Sequence, residues 1–127
     1  MRKPAKLITA SAVAILLGSL SIAPQIVSAA DAGKKAPTAA ELGKKVAENR
    51  KKGNCFACHA YEGVNLPGNI GPPLVAMKAR FPDKARLRAQ LQDPEQFNKD
   101  TLMPPYGKHE ILTAKEIDEV VEWLYTL

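Results

Sequence analysis

Cys55-Phe56-Ala57-Cys58-His59 decides how the rest of this chain is read. Two thiols with two residues between them reach the two vinyl groups on one edge of a haem and can become thioethers. A histidine directly after the second cysteine then lies under the iron, where an imidazole nitrogen can act as proximal ligand. The chain has two cysteines, and both stand in this pentad. Other uses of C-x-x-C ask for more than the sequence supplies. A thioredoxin-like pair belongs in a strand–turn–helix setting, and nothing along the chain reads as a parallel sheet. Structural zinc needs four ligands, and only His109 is left to join Cys55, Cys58 and His59. A plain disulfide leaves His59 without a role. One covalently attached haem c is the expected cofactor.

The N-terminal residues agree with that chemistry. Arg2, Lys3 and Lys6 form a positive start, and Leu7 to Leu20 is apolar apart from Thr9, Ser11, Gly18 and Ser19. That stretch is too short and too interrupted for a membrane span. Pro24 and the small residues of Val27-Ser28-Ala29-Ala30 follow. Residues 1–30 therefore read as a secretory signal peptide cut after Ala29 or Ala30, with an uncleaved anchor as the competing reading. Haem is joined to c-type cytochromes on the outer side of the bacterial inner membrane, so the expected compartment is the periplasm. No membrane span is expected after cleavage.

Removing that segment also corrects the charge. The full chain carries +5, but three of its 18 basic residues lie in the signal, leaving 15 against 13 acidic residues. Nucleic-acid binding has no support from so small a balance. Residues 31–37 read as a flexible Gly/Lys/Ala-rich lead-in and residues 38–127 as one small domain. A chain of that size has a marginal core of its own, which a large apolar macrocycle would complete.

Within the domain the patterning is helical. Thr38-Ala39-Ala40-Glu41 and Thr113-Ala114-Lys115-Glu116 both have capping-box spacing. The first predicts a helix running to about Lys52, stopped by Gly53. Gly43 inside it costs about 1 kcal/mol against alanine, which points to a close helix–helix crossing. The second opens a helix whose apolar face holds Ile117, Val120, Val121, Leu124 and Leu127, with Trp123 off the main stripe. Pro82 at a first helical position and Leu87/Leu91 predict a third helix, from Pro82 to Gln92, ended by Asp93-Pro94. The expected fold is all-α, its first and last helices crossing, with long loops wrapped around the haem.

Met77, Met103 and His109 are the downstream candidates for a second iron ligand. Met103-Pro104-Pro105 lies in a proline-stiffened loop that can hold a thioether against the far haem face. Met77 reads as a core methionine and His109 as a surface residue; His109 or an open site is the alternative to Met103. Pro72 is expected to turn its carbonyl toward the other nitrogen of His59 and fix the ring. Filled axial positions argue against oxygen or peroxide chemistry. A sensor haem would require Met103 not to bind iron. Lys78, Arg80, Lys84, Arg86 and Arg88 form a basic cluster that reads either as a solvated helix face or as a docking surface.

The order C-x-x-C-H, Gly71-Pro72-Pro73-Leu74, Met103-Pro104-Pro105 and a capped final helix resembles class I cytochrome c. More narrowly, Gly53–His59, Pro67–Leu74, Arg80-Phe81-Pro82-Asp83, Thr101–Gly107 and Ile111-Leu112-Thr113 resemble the SoxX family, monohaem subunits of SoxAX cytochromes. The resemblance implies a heterodimer with a SoxA-like haem protein. It further implies the L-cysteine S-thiosulfotransferase reaction, in which thiosulfate is oxidatively joined to a cysteine of a SoxYZ-like carrier. The sulfur chemistry belongs to the SoxA side, so this chain would relay electrons to a soluble cytochrome without catalysing a step itself. A free-standing periplasmic electron shuttle is the alternative.

Overall fold

Thr38 and Thr113 each open a helix by the same device. The hydroxyl of Thr38 accepts the Glu41 N–H at 3.2 Å while the Glu41 carboxylate accepts the Thr38 N–H at 2.7 Å. Thr113 and Glu116 repeat the pair at 3.2 and 3.0 Å. Each box satisfies two backbone donors that a helix start otherwise leaves open. A computed structural model describes residues 35–127. The predicted signal peptide and residues 31–34 of the lead-in lie outside the described residues.

The described residues form four α-helices: α1 (Ala39–Glu48), α2 (Met77–Arg80), α3 (Lys84–Gln92) and α4 (Ala114–Leu124). Short 3-10 turns span Cys55–Ala57 and Pro94–Gln96. The described residues hold no strand, only one isolated bridge between His59 and Gly71.

Helix α4 ends at Leu124, so Leu127, expected on its apolar face, lies beyond it. Two further boundaries differ from the sequence reading. Helix α1 ends at Glu48, not near Lys52, because Asn49 turns extended and its side-chain oxygen accepts the Lys51 N–H at 2.9 Å. A short polar side chain that satisfies local backbone competes with helix continuation. Gly53 then returns its N–H to Val46 O at 3.2 Å, closing a turn instead of stopping a helix. Helix α3 begins at Lys84, since the Asp83 carboxylate accepts the Ala85 N–H at 2.8 Å and takes the cap. Pro82 therefore precedes the cap and is not a helical residue. A side-chain acceptor at the N-cap outweighs the mere tolerance of proline at the first turn.

The frame is the contact of α1 with α4. A Cβ on Gly43 would lie 1.9 Å from the Glu119 carbonyl oxygen, so the two backbones meet with no room for a side chain. Ala47, Ile117, Val120 and Val121 fill the seam behind that contact. Helix α3 packs its Leu87/Leu91 edge inward and is tied to α4 by Lys84–Glu122 at 2.7 Å and Arg88–Asp118 at 2.6 Å. These exposed pairs each contribute at most about 1 kcal/mol; the buried leucines hold the helix. Trp123 is buried, off the main stripe as it stands, because Phe56 and Tyr61 meet its ring edge-on at 5.9 and 5.4 Å.

Gly43→Val should cost about 3 kcal/mol or more, since a branched side chain there must push two backbones apart; urea unfolding of the haem-loaded protein reads it. Acid should act through Glu116. Its hydrogen bond from Lys52, then that from the Thr113 N–H, hold its carboxyl below the ordinary 4.5. A carboxylate with a depressed folded-state pKa stabilises above its unfolded value and loses that contribution as pH falls through the folded one. Glu116→Gln should therefore flatten the loss of stability measured between about pH 5 and about pH 3.

Candidate cofactor site

The pentad leaves α1 through a tight turn. Asn54 takes the left-handed conformation (φ 46°), which asparagine tolerates better than most residues, and Cys55–Ala57 then wind into a 3-10 turn. His59 N–H closes onto Cys55 O at 2.9 Å. The following loop folds back along this segment. Gly68 N–H bonds Phe56 O at 2.9 Å, Gly71 N–H bonds Cys58 O at 2.8 Å, and Leu74 N–H bonds Ala60 O at 2.8 Å.

That return places Gly71 and Pro72 against the histidine. His59 Nδ1 lies 2.7 Å from the Pro72 carbonyl oxygen. A carbonyl can only accept, so Nδ1 carries the proton and Nε2 keeps its lone pair free for a metal. The ring lies on Gly71: a Cβ there would meet His59 Cε1 at 2.4 Å. The Pro72 carbonyl and Gly71 thus fix both the orientation and the tautomer of the ring.

His59 forms part of the wall of a cavity of about 730 Å³, with Cys55, Cys58 and Met103 on the same wall. The interior is aliphatic and aromatic, from Leu74, Leu87, Leu91, Val120, Trp123 and Leu124. Ile70, Leu102 and Ile111 line it while remaining exposed, so they mark its mouth, beside Arg50 and Lys51.

Met103 comes from the loop before α4. Thr101 Oγ1 accepts its N–H at 3.2 Å, Pro104 and Pro105 follow, and buried Tyr106 donates its hydroxyl to Gly53 O at 2.7 Å. Gly107 and Lys108 N–H groups both bond Gln92 O, at 3.2 and 2.9 Å. Met77 also reaches the cavity wall, but it is 3% exposed, packs in the core and receives Arg80 Nη1 on its sulfur at 3.7 Å. His109 is exposed and lies off the cavity wall. Cys55, Cys58, His59, Pro72 and Met103 are thus brought to one cavity; His109 is not.

No disulfide joins the two cysteines. Burial pushes the Cys55 thiol up to about 11, and burial, then the neighbouring thiols, raises the Tyr106 hydroxyl above its ordinary range. A dithiol redox pair needs the reverse, a thiolate stabilised near neutral pH. Among the described residues no cluster of three or more His, Cys, Asp or Glu side chains is set to hold a metal ion. The cavity instead offers two thiols, one imidazole and one thioether against apolar walls. That donor set fits a haem c, whose vinyl edge, iron and macrocycle ask for those groups.

In the basic cluster, Arg80 Nη1 donates to Pro73 O at 2.7 Å and Arg86 Nη1 to Gln90 Oε1 at 3.1 Å. Lys84 and Arg88 are paired with α4 as described above. Four of the five cations thus have partners within the chain, leaving Lys78 as the least committed.

A helical fold wrapped around such a cavity defines a class I c-type cytochrome. A protein-family model described as cytochrome c oxidase, cbb3-type, subunit III matches residues 38–124, and the chain belongs to that family. The crystal structure of SoxXA from P. pantotrophus is similar, with a TM-score of 0.63 and 29% identity. The match covers 72% of this chain and 82% of that one, and identifies a SoxX-like cytochrome. An uncharacterized lipoprotein of Aquifex aeolicus (strain VF5) is 33% identical over 76 residues, 59% of this chain. The matched part spans 37% of that relative's length.

Gly71, beneath the His59 ring, has no signal in the sequence beyond its place before two prolines. Gly71→Ala should displace the ring. The measurement is the yield of covalent haem per protein, expected to fall severalfold, with a weakened low-spin spectrum in what remains.

Proposed function

We propose that this chain is a monohaem electron-relay subunit. In this reading Cys55 and Cys58 would carry the haem as thioethers, and His59 Nε2 and the Met103 thioether would hold its iron. When bound, the haem supplies a one-electron ferric/ferrous couple. The residues of the chain do the rest. Pro72 O holds the proton of His59 at Nδ1, so the imidazole stays oriented and electron-rich. Met103, in a loop braced by two prolines and Tyr106, would hold the iron as a second ligand and exclude water and small ligands. The aliphatic walls keep the cavity dry, which limits solvent reorganisation during electron transfer. A thioether ligand favours ferrous iron and a comparatively high potential.

The partner in this reading is a SoxA-like haem protein, in a periplasmic complex that joins thiosulfate to a carrier cysteine (L-cysteine S-thiosulfotransferase). The observation carrying it is the similarity to SoxXA at 29% identity over 82% of that chain. The cysteine count supports the division of labour. Both thiols go to haem attachment, so no thiol remains for sulfur transfer. Electrons released as the S–S bond forms would pass through this subunit one at a time to a soluble cytochrome. The chain contributes no catalytic residue to the sulfur chemistry.

A second reading is a free-standing periplasmic cytochrome serving another redox enzyme; the family description, which names a subunit of a terminal oxidase, favours only the link to an oxidase. Affinity capture of the tagged, haem-loaded protein from thiosulfate-grown cells separates the two. A larger haem-staining partner and thiosulfate-dependent reduction of the pair are expected for the relay subunit. A single small haem-staining band, reduced without such a partner, would assign the chain to the second reading.

A further inference from the structure

Among the polar side chains that line the cavity, Gln90 faces the Met103 sulfur. Helix α3 lines the cavity with Leu87, Leu91 and, between them, Gln90. Both ends of the Gln90 amide are occupied. Arg86 Nη1 reaches Gln90 Oε1 at 3.1 Å, and Gln90 Nε2 lies 3.9 Å from Met103 Sδ. The amide cannot be turned round: a guanidinium only donates, so the end facing Arg86 must be oxygen and the end facing the sulfur must be N–H. Arg86 is itself held, its guanidinium stacked 3.3 Å from the centre of the Phe97 ring and 5.9 Å from that of Phe81. Both Arg86 and Gln90 are half-buried, which limits competition from water.

We propose that Gln90 is a positioning residue that tunes the Met103 ligand, with Arg86 fixing the direction of its amide. The inference rests on the reading that Met103 ligates the iron. A thioether sulfur has two lone pairs. With one directed to iron, the other is free to accept the Gln90 N–H. A donor there draws electron density from the sulfur, weakens its support of ferric iron more than of ferrous iron, and raises the reduction potential. It also restricts which lone pair faces the cavity.

The test is a reductive titration of the full haem-loaded protein, with Gln90→Leu and Gln90→Met compared with wild type. Both replacements keep similar volume and remove the donor, so either one serves if the other folds poorly. The expected result is a shift of about fivefold toward ferric iron in each, or about 40 mV lower for a one-electron couple. The sulfur-to-iron charge-transfer band of the ferric protein and the melting temperature should be retained. An unchanged potential with the band intact would overturn the role, leaving Gln90 as packing. Met103→Ala is the separate control. If it keeps the charge-transfer band, Met103 is not the ligand, and the axial assignment falls together with this proposal.

Discussion

The contact of α1 and α4 backbones at Gly43 is the constraint on which the remaining geometry depends. A Cβ at that point would stand 1.9 Å from the Glu119 carbonyl oxygen, so the helices cannot meet there with any other residue. The end of α1 is thereby fixed relative to α4, and the pentad starts seven residues beyond that end. The same contact presents Val120, Trp123 and Leu124 to the space that Cys55, Cys58 and His59 border. A glycine that weakens its own helix by about 1 kcal/mol is retained where the alternative is a wider seam and a displaced attachment site.

Core and cofactor site are the same set of side chains in this protein. Of twelve buried hydrophobic residues, eight also line the cavity: Leu74, Met77, Leu87, Leu91, Tyr106, Val120, Trp123 and Leu124. The domain therefore has little apolar interior apart from the walls it offers a cofactor. A small domain built this way would gain stability by burying a large apolar group against those walls. The exposed ion pairs between α3 and α4 trim the outer surface, and two of the five basic residues that read as a possible docking face, Lys84 and Arg88, are spent on them.

Much of this was legible in the sequence because the signals are local. The two capping boxes, the pentad and Gly43 are set by residues within four positions of each other, and the structure realises both caps and the close crossing. The errors also have local causes. Asn49 and Asp83 each offer a side-chain oxygen to nearby backbone, and that small preference moved one helix end and one helix start. What could not be read are contacts between segments far apart in the chain. Trp123 is buried by rings more than sixty positions upstream. The place of Gly71 under His59 depends on a loop returning along the pentad, and the Gln90–Met103 pair joins a helix to a loop. None of these leaves a periodicity.

Two proline-rich loops and one tyrosine explain how the segments bearing His59 and Met103 are held still. Pro72-Pro73 follows the glycine beneath His59, and Pro104-Pro105 follows Met103; in both, fixed φ angles reduce the freedom lost on folding. Tyr106 then joins the segments, its hydroxyl bonded at 2.7 Å to the carbonyl of Gly53, two residues before Cys55. That hydroxyl is buried, so breaking the bond would strand a donor and an acceptor away from water. Motion of Met103 is thus coupled to motion of the residues that precede the attachment site. An electron carrier benefits from such coupling more than a catalyst does. A catalyst must admit, turn over and release substrate, whereas a relay works best when its ligands hardly move between oxidation states. The bracing falls on both sides of the cavity, on the segments that bear His59 and Met103.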